Sequence, residues 1–250
     1  DHVHSQFACS FIDIFSHIIP PWCVSMRDYD LTNINKEEIY EFITNLKRIM
    51  FPNIYKPKIY IERLYIELSE IFDSIGITDN TIDEFFNELV NLKKLLLSDI
   101  DSFFDNDPAC TCKEEVILSY NSFDAIFIYR ISNLLYILNV PYIPRILTEY
   151  AHSKTGIDIH PGCTIGSSFF IDHGTGIVIG ESTLIGNNVS IYQGVTLGAK
   201  NLSDAKSLRG VKRHPTIEDN VIIYANAVIL GGDTVIKSGT VVNCNAYIVK

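Results

Sequence analysis

Large aliphatic residues recur every six positions in the second half of the chain, and this period limits the possible folds more than any other feature. The series has one two-residue slip and one polar interruption, and its positions are Ile159, Ile165, Ile171, Ile179, Ile185, Ile191, Leu197, Ile217, Ile223, Ile229, Val235, Val241 and Tyr247. An amphipathic helix has a period of about 3.6 residues and a strand a period of about 2, so neither fits. The period predicts a solenoid of short strands and tight corners, in which each turn of chain stacks on the last.

Residues between these positions support the same prediction. Gly and Asn occur where corners are expected, as at Gly166, Gly180, Gly186 and Asn187, and both residue types tolerate positive φ. The alternative is a β-sandwich with coincidental spacing, but sandwich strands vary in length and would not keep one phase over thirteen positions. The period does not determine the hand of the coil, since right-handed crossovers are the usual rule between parallel strands.

The first part of the chain has the spacing of amphipathic helices instead. Apolar residues follow Asn35 and Glu38 at helical intervals, which predicts a capping box, and Thr81 with Glu84 predicts a second one. We therefore expect an α+β chain, with an α-helical oligomerisation domain over residues 1–154 and a coil that forms the catalytic domain over residues 155–250.

Composition excludes several classes of function. A net charge of -10 argues against nucleic acid or an anionic membrane as the main partner, because both require a basic surface. No run of eighteen apolar residues and no secretory signal is visible, so we expect neither a membrane span nor export. The six cysteines lack CxxC spacing, and free thiols in a reducing cytosol are the default expectation.

A polar segment at about residues 198–215 interrupts the six-residue period. An insertion in a solenoid projects from one corner and is often functional, although a solvated loop without a function is the simpler alternative. Its Lys and Arg residues could bind the phosphates of a ligand.

Polar residues are sparse in the coil, so the places where they cluster are informative. Asp158 precedes a corner, Asp172 and His173 follow fourteen residues later, and Arg213 with His214 ends the polar segment. A carboxylate that holds an imidazole in one tautomer makes it a competent general base, and His173 with Asp158 or Asp172 is such a pair.

A metal site is an alternative that spacing alone leaves open. His160, His173 and His214 could bind zinc on a parallel coil, as in the carbonic anhydrases built on this kind of coil. Such a site requires converging imidazoles and a second layer of hydrogen bonds.

Five motifs occur in order along the chain: Asp107-Pro108-Ala109-Cys110, Gly156-Ile157-Asp158-Ile159-His160-Pro161, the run from Ile171 to Glu181 (IDHGTGIVIGE), the run from Val189 to Gly198 (VSIYQGVTLG) and Lys212-Arg213-His214-Pro215. In these motifs the chain resembles the serine O-acetyltransferase family within the left-handed β-helix acyltransferases. The resemblance implies a left-handed parallel β-helix of hexapeptide repeats after the helical domain.

The resemblance also implies a role for each matching residue. His173 would be the general base and Asp158 would orient it. Asp107 and Asp172 would bind the ammonium group of serine, while Arg213 would bind its carboxylate beside His214. Contacts to acetyl-CoA are expected from Gly198, Ala225, Lys200 and Lys237, with no metal required. The stretch from Tyr224 to Ala227 departs from the small residues usual in the CoA groove.

What the resemblance implies for the whole protein is transfer of acetyl from acetyl-CoA to L-serine for cysteine biosynthesis, with feedback inhibition by L-cysteine. It implies a cytoplasmic homotrimer, with pairing of two trimers as a further possibility. A partner O-acetylserine sulfhydrylase would bind a C-terminal tail that these residues do not include. The alternatives are another acyl-CoA transferase of the same coil type, and a zinc hydratase or an inactive scaffold.

Overall fold

The computed structural model describes residues 34–77, 79–201, 208 and 210–250. Helices occupy the first part of these ranges, with bounds α1 (Lys36–Met50), α2 (Pro52–Tyr55), α3 (Ile61–Asp73), α4 (Asp79–Asn106), α5 (Lys113–Ser119), α6 (Asn121–Ile137) and α7 (Ile143–Thr155). None of these described helices is both long and apolar enough to cross a membrane.

The predicted start of the first helix is confirmed, and that of the Thr81 helix is wrong. At α1, the Asn35 side chain accepts a hydrogen bond from the Glu37 N–H at 3.1 Å and donates to Glu38 Oε1 at 2.8 Å. Helix α4 begins at Asp79, so Thr81 lies inside the first turn and does not cap it. Asp79 and Asn80 are themselves residue types that favour helix starts, which explains the earlier beginning.

Thirteen short strands follow within the described ranges, namely β1 (Asp158–Ile159), β2 (Thr164–Ile165), β3 (Phe170–Asp172), β4 (Val178–Ile179), β5 (Leu184–Ile185), β6 (Ser190–Tyr192), β7 (Thr196–Gly198), β8 (Thr216–Ile217), β9 (Ile222–Ile223), β10 (Val228–Leu230), β11 (Val235–Ile236), β12 (Val241–Val242) and β13 (Tyr247–Val249). They form three parallel sheets. Sheet A contains β1, β4, β7, β10 and β13, sheet B contains β2, β5, β8 and β11, and sheet C contains β3, β6, β9 and β12. The chain visits A, B and C in turn, and this is the predicted left-handed parallel β-helix.

Three edges join the sheets, and the position of the site depends on them. Within the described residues, the A–B edge comprises 160–163, 180–183, 199–201, 208, 210–215 and 231–234. The B–C edge comprises residues 166–169, 186–189, 218–221 and 237–240. The C–A edge comprises residues 173–177, 193–195, 224–227 and 243–246. Each edge is the corner between two adjacent sheets. Side chains on two different edges are therefore separated by the width of one sheet.

Strand register shows where the six-residue period is interrupted. Asp158 pairs with Val178 after twenty residues, and Val178 pairs with Thr196 after eighteen. Thr196 pairs with Val228 after thirty-two residues, because the polar segment is inserted at the A–B edge. The ten predicted positions from Ile159 to Ile229 are all buried in the coil.

The last three predicted positions of the period, Val235, Val241 and Tyr247, are wrong. Val228 pairs with Tyr247 after nineteen residues, one more than three hexads. The extra residue lies in the corner at residues 231–234, and it moves the inward-facing side chains to Ile236 and Val242, which are buried. Tyr247 is 69% exposed.

The helices pack directly on the first coil. Helices α4 and α6 contact β3, α7 contacts β1, and buried apolar residues of the helices and the coil form one continuous core. A buried ion pair joins the same elements: Arg130 of α6 binds Asp99 of α4 and also donates to the carbonyls of Ile165 and Gly166. Helix α7 ends at Thr155 and β1 begins at Asp158. Since the two parts share a core, a division into domains at residue 154 stays a prediction.

Candidate active site

Asp172 and His173 lie on the C–A edge, where β3 ends. His173 opens the corner with φ 58°, and its side chain is 72% exposed, with Nε2 3.7 Å from Asp172 Oδ1. Gly174 follows with φ 91°, and a Cβ there would lie 2.5 Å from the Ile157 side chain. The corner therefore requires glycine, and it projects the His173 imidazole away from the coil with one ring nitrogen facing a carboxylate.

Asp107 belongs to the same neighbourhood, although it comes from the helical part. It follows α4, and its Oδ1 accepts the Ala109 N–H at 2.8 Å in the turn formed by residues 107–110. Tyr192 pairs in register with Asp172, and burial raises the pKa of its phenol, with further upward contributions from Asp172, Tyr224 and Asp107. The fields of both carboxylates therefore reach one phenol, which gives this edge a local negative charge.

Asp158 lies beneath the corner that carries His173. Its N–H donates to the Ile177 carbonyl at 2.9 Å, and its carboxylate lies 3.8 Å from Arg145 Nη1. Within the described part of the chain, no hydrogen bond or ion pair joins Asp158 to His173. Hydrogen bonds between catalytic groups are often long before substrate binds, so the predicted pair stays a prediction.

His214 is a neutral hydrogen-bond donor on the A–B edge. Its Nδ1 accepts the Ser182 N–H at 3.1 Å and lies 2.9 Å from Ser182 Oγ, which in turn accepts the N–H groups of Arg213 and His214 at 2.9 and 3.1 Å. Burial, followed by the Arg213 charge, lowers the pKa of His214 to about 4. Because Nδ1 is an acceptor, the proton of the neutral ring lies on Nε2.

Arg213 is held beside His214 by a carboxylate. Its Nη2 pairs with Glu181 Oε2, its Nη1 donates to the Leu208 carbonyl at 3.1 Å, and Tyr136 OH donates to Glu181 Oε1 at 3.3 Å. Partial burial alone would raise the pKa of the Glu181 carboxyl, but hydrogen bonding from Arg213 and the nearby charges lower it. The guanidinium is thus fixed in direction before any ligand binds.

The predicted site residues therefore form two groups in one chain. Asp107, Asp172 and His173 belong to the C–A edge, while Arg213 and His214 belong to the A–B edge, on the other side of sheet A. A side of six residues at about 3.3 Å each is on the order of 20 Å wide, which is several times the length of a serine molecule. Residues on both edges cannot contact one small amino acid within a single chain.

The three histidines that could have bound zinc do not converge in one chain. His160 and His214 are neighbours on the A–B edge, and burial lowers the pKa of His160 to about 4, but His173 lies on the C–A edge. Among the residues that the structure describes, no group of three or more His, Cys, Asp or Glu side chains could hold a metal ion.

The residues expected to bind CoA are also divided between edges. Gly198 ends β7 at the A–B edge, and the exposed Lys200 follows it. Ala225 lies on the C–A edge, where its carbonyl accepts the Asn245 N–H at 2.9 Å. Lys237 lies on the B–C edge and forms an ion pair with Glu218 at 2.7 Å, so it is apart from the other three.

Sequence reasoning missed three polar residues that shape these groups. Glu181 ends the run from Ile171 to Glu181 and Ser182 follows it, and these two residues orient Arg213 and His214. Tyr120 donates its phenol hydrogen to Asp107 Oδ2 at 2.6 Å. The position of Glu181 inside a quoted motif was a usable signal, whereas nothing in the helical spacing around Tyr120 pointed to Asp107.

Comparison with known proteins shows which sequences and structures the chain resembles. No protein-family model matches the chain. Over 160 residues, or 63% of its length, the chain is 48% identical to the protein named "Serine acetyltransferase, plasmid" of Synechococcus elongatus, and it spans only 50% of that curated relative. It superposes with a TM-score of 0.73 and 31% identity on serine acetyltransferase isoform 3 of Entamoeba histolytica in complex with cysteine, covering 98% of this chain and 87% of that one. A serine acetyltransferase in complex with CoA superposes with a TM-score of 0.60 and 31% identity, covering 68% and 67%.

Proposed function

The chain belongs to the serine acetyltransferase family, and from that premise we propose that it transfers the acetyl group of acetyl-CoA to the hydroxyl of L-serine. One observation carries the proposal. His173 and two carboxylates lie on one edge of sheet A, and an arginine with a neutral histidine lies on the other. Together they supply a base, a site for an ammonium group and a site for a carboxylate, which are the groups that a zwitterionic acceptor requires.

His173 is the general base in this proposal. Its exposed imidazole takes the proton of the serine hydroxyl as the oxygen attacks the thioester carbonyl, so that a C–O bond forms and the C–S bond breaks. The CoA thiolate leaves and takes up a proton. Asp172, 3.7 Å from Nε2 in the free protein, and Asp158, beneath the corner, are the carboxylates available to stabilise the imidazolium. No covalent enzyme intermediate is required when both substrates are held in line.

Asp107 and Asp172 are the binding groups for the serine ammonium, and Arg213 is the binding group for its carboxylate. Arg213 already pairs with Glu181, so its guanidinium would share its donors between Glu181 and the ligand. The Nε2–H of His214 supplies a further donor beside it, because Ser182 occupies Nδ1. Because this ring is neutral, it can donate to an anionic group without placing a second positive charge beside Arg213.

A homotrimer would join the two groups. If sheet A faces a threefold axis, the C–A edge of one chain meets the A–B edge of its neighbour, and one complete site forms at each joint. Sheet A has an exposed apolar surface suited to such packing, since Val178, Tyr247 and Val249 project from it. The division of Gly198 and Ala225 between the same two edges supports a CoA groove at the same joint.

The acetyl donor in this proposal is acetyl-CoA, and the relative that binds CoA supports it. Gly198 and Ala225 would contact the pantetheine arm through their backbones, and Lys200, which is exposed beside Gly198, would contact the phosphates. Lys237 is paired with Glu218 on a different edge, so it would have to leave that ion pair to contact the same CoA molecule.

L-Cysteine would inhibit by binding in place of serine. The two amino acids share the ammonium and carboxylate groups, so Asp107, Asp172, Arg213 and His214 would bind either one, and the Entamoeba relative binds cysteine. Pairing of two trimers, a sulfhydrylase partner and a cytoplasmic location remain parts of the proposal that rest on the family resemblance alone.

Thioester loss from acetyl-CoA tests the proposal directly. We expect loss at about pH 7.5 that depends on L-serine and is suppressed by L-cysteine, with less than one zinc per chain. Loss with another amine or alcohol but not with serine would favour a different acyltransferase of this coil type. Absence of transfer together with one tightly bound zinc per chain would favour the hydratase, and absence of both would favour a scaffold.

A further inference from the structure

Both oxygens of the Asp107 carboxylate are held, and they are held from different elements. Oδ1 accepts the Ala109 N–H at 2.8 Å, and the Cys110 N–H donates to the Asp107 carbonyl at 3.0 Å, so the turn after α4 fixes one side of the residue. Oδ2 accepts the Tyr120 hydroxyl at 2.6 Å. The turn orients only Oδ1. The hydrogen bond from Tyr120 to Oδ2 also prevents the carboxylate plane from rotating.

Tyr120 is itself well fixed, because it is the single residue between α5 and α6. Its N–H donates to the Val116 carbonyl at 3.3 Å, and its carbonyl accepts the Asp124 N–H at 3.1 Å. Its ring packs edge-on against Phe103 with centroids 5.6 Å apart and an interplanar angle of 86°. Phe103 is fully buried on α4, and its carbonyl accepts the Asp107 N–H at 3.0 Å.

The same aromatic contacts continue to the strand that carries the second carboxylate. The Phe103 ring also packs edge-on against Phe170, with centroids 5.0 Å apart. Phe170 begins β3, and Asp172 ends it. Three rings, those of Tyr120, Phe103 and Phe170, thus connect the hydroxyl that holds Asp107 with the strand that presents Asp172. The packing therefore connects the support of Asp107 with the strand that carries Asp172.

We propose that Tyr120 is a positioning residue, whose hydroxyl holds the Asp107 carboxylate in the orientation that binds the ammonium group of the acceptor amino acid. The inference rests on the proposed function. Each carboxylate oxygen has more than one lone-pair site, so Asp107 can accept the ammonium group while it keeps both contacts. Fixing the carboxylate in advance lowers the ordering cost of binding, and it does not change the acetyl-transfer step. Tyr120 should therefore affect acceptor binding and leave kcat unchanged.

The Tyr120→Phe variant tests this, because it removes the hydroxyl and keeps the ring against Phe103. Without this hydrogen bond the Asp107 carboxylate is less well oriented before binding, so we expect KM for L-serine and the inhibition constant of L-cysteine to rise together by about three- to tenfold. KM for acetyl-CoA and kcat should stay within about twofold. Tyr55→Phe is the matched control, since the Tyr55 hydroxyl donates to the Ile117 carbonyl at 3.1 Å outside the site, and it should change none of these constants.

A double-mutant cycle with Asp107→Ala separates positioning from a general structural effect. If Tyr120 acts through Asp107, removing its hydroxyl from the Asp107→Ala protein should change kcat/KM for serine by less than about 1.5-fold. The inference is overturned, while the proposed function stands, if Tyr120→Phe lowers kcat/KM for serine as much in the Asp107→Ala protein as in the wild type. Wild-type constants for Tyr120→Phe would overturn it as well. If the wild-type protein shows no serine-dependent transfer and no cysteine binding by calorimetry, the proposed function fails and the inference fails with it.

Discussion

Replacing Arg130 by methionine should lower the free energy of unfolding by about 3 to 5 kcal/mol, because it leaves a buried carboxylate without its partner. Arg130 is 3% exposed and Asp99 is 0% exposed. The guanidinium binds both Asp99 oxygens, through Nε at 3.1 Å and Nη2 at 3.0 Å. A loss of this size is a large part of the roughly 5 to 15 kcal/mol that stabilises a typical domain.

The double variant Asp99→Leu/Arg130→Met is the sharper test. Exchanging a whole buried ion pair for apolar residues is often neutral or stabilising. This pair also serves the backbone: Arg130 donates to the carbonyls of Ile165 and Gly166, and Asp99 Oδ1 accepts the Phe169 N–H at 2.9 Å. Each buried backbone group left unpaired costs about 1 to 3 kcal/mol. We therefore expect the double variant to lose at least about 3 kcal/mol and not to recover stability.

Urea unfolding followed by far-ultraviolet circular dichroism, at fixed protein concentration, measures both changes. Arg63→Met is the control, since it removes only an exposed pair with Glu67 and should cost less than about 1 kcal/mol.

Burial raises the pKa of the Asp99 carboxyl, and Arg130 opposes that rise. Without Arg130 the folded-state pKa lies further above the unfolded value, so the stability deficit of Arg130→Met should shrink as pH falls and grow as pH rises. A double variant within about 1 kcal/mol of wild type would refute the reasoning.

Three further substitutions test the site. His173→Ala should lower kcat by about 10²- to 10⁴-fold with CoA binding intact, and retention of most turnover would remove His173 from the base role. Arg213→Ala should raise KM for serine and the inhibition constant of cysteine together by about ten- to a hundredfold, whereas unchanged values would contradict carboxylate binding there. Gly180→Ala would set a Cβ 2.1 Å from His214 Cδ2, so the ring must leave Ser182; we expect weaker serine binding with little loss of secondary structure, and wild-type kinetics would show that the position of His214 is unimportant.

Most of the coil could be predicted because its physical rule is simple. One aliphatic side chain per hexad fills a narrow core, and ten of the thirteen predicted positions are buried. The last three failed because an extra residue in the corner at 231–234 shifts the phase by one, and a strand side chain that shifts by one residue faces the opposite side. Val235, Val241 and Tyr247 are all apolar, as are the Ile236, Val242 and Ile248 that follow them, so hydrophobicity could not distinguish the two registers.

The roles of the site residues stay predictions, whereas the structure adds the contacts that hold them. The motifs identified Asp172, His173, Arg213 and His214, but a motif does not give the partners that hold each side chain. Tyr120 could not be found because its contact with Asp107 depends on where α5 ends and α6 begins. Contacts made across a helix junction depend on tertiary packing, which local spacing does not encode.

The separation of the two groups, in contrast, can be derived from the sequence once the register is known. His173 comes two residues after Ile171, the inward position of β3, so it must lie where sheet C ends and sheet A begins. His214 comes three residues before Ile217, the inward position of β8, so it must lie where sheet B begins. Any residue of a three-sided coil is assigned to an edge by its distance from the nearest inward position. A base on one edge and an arginine on another are therefore our reason for proposing that a second copy of the chain completes the site around one small ligand.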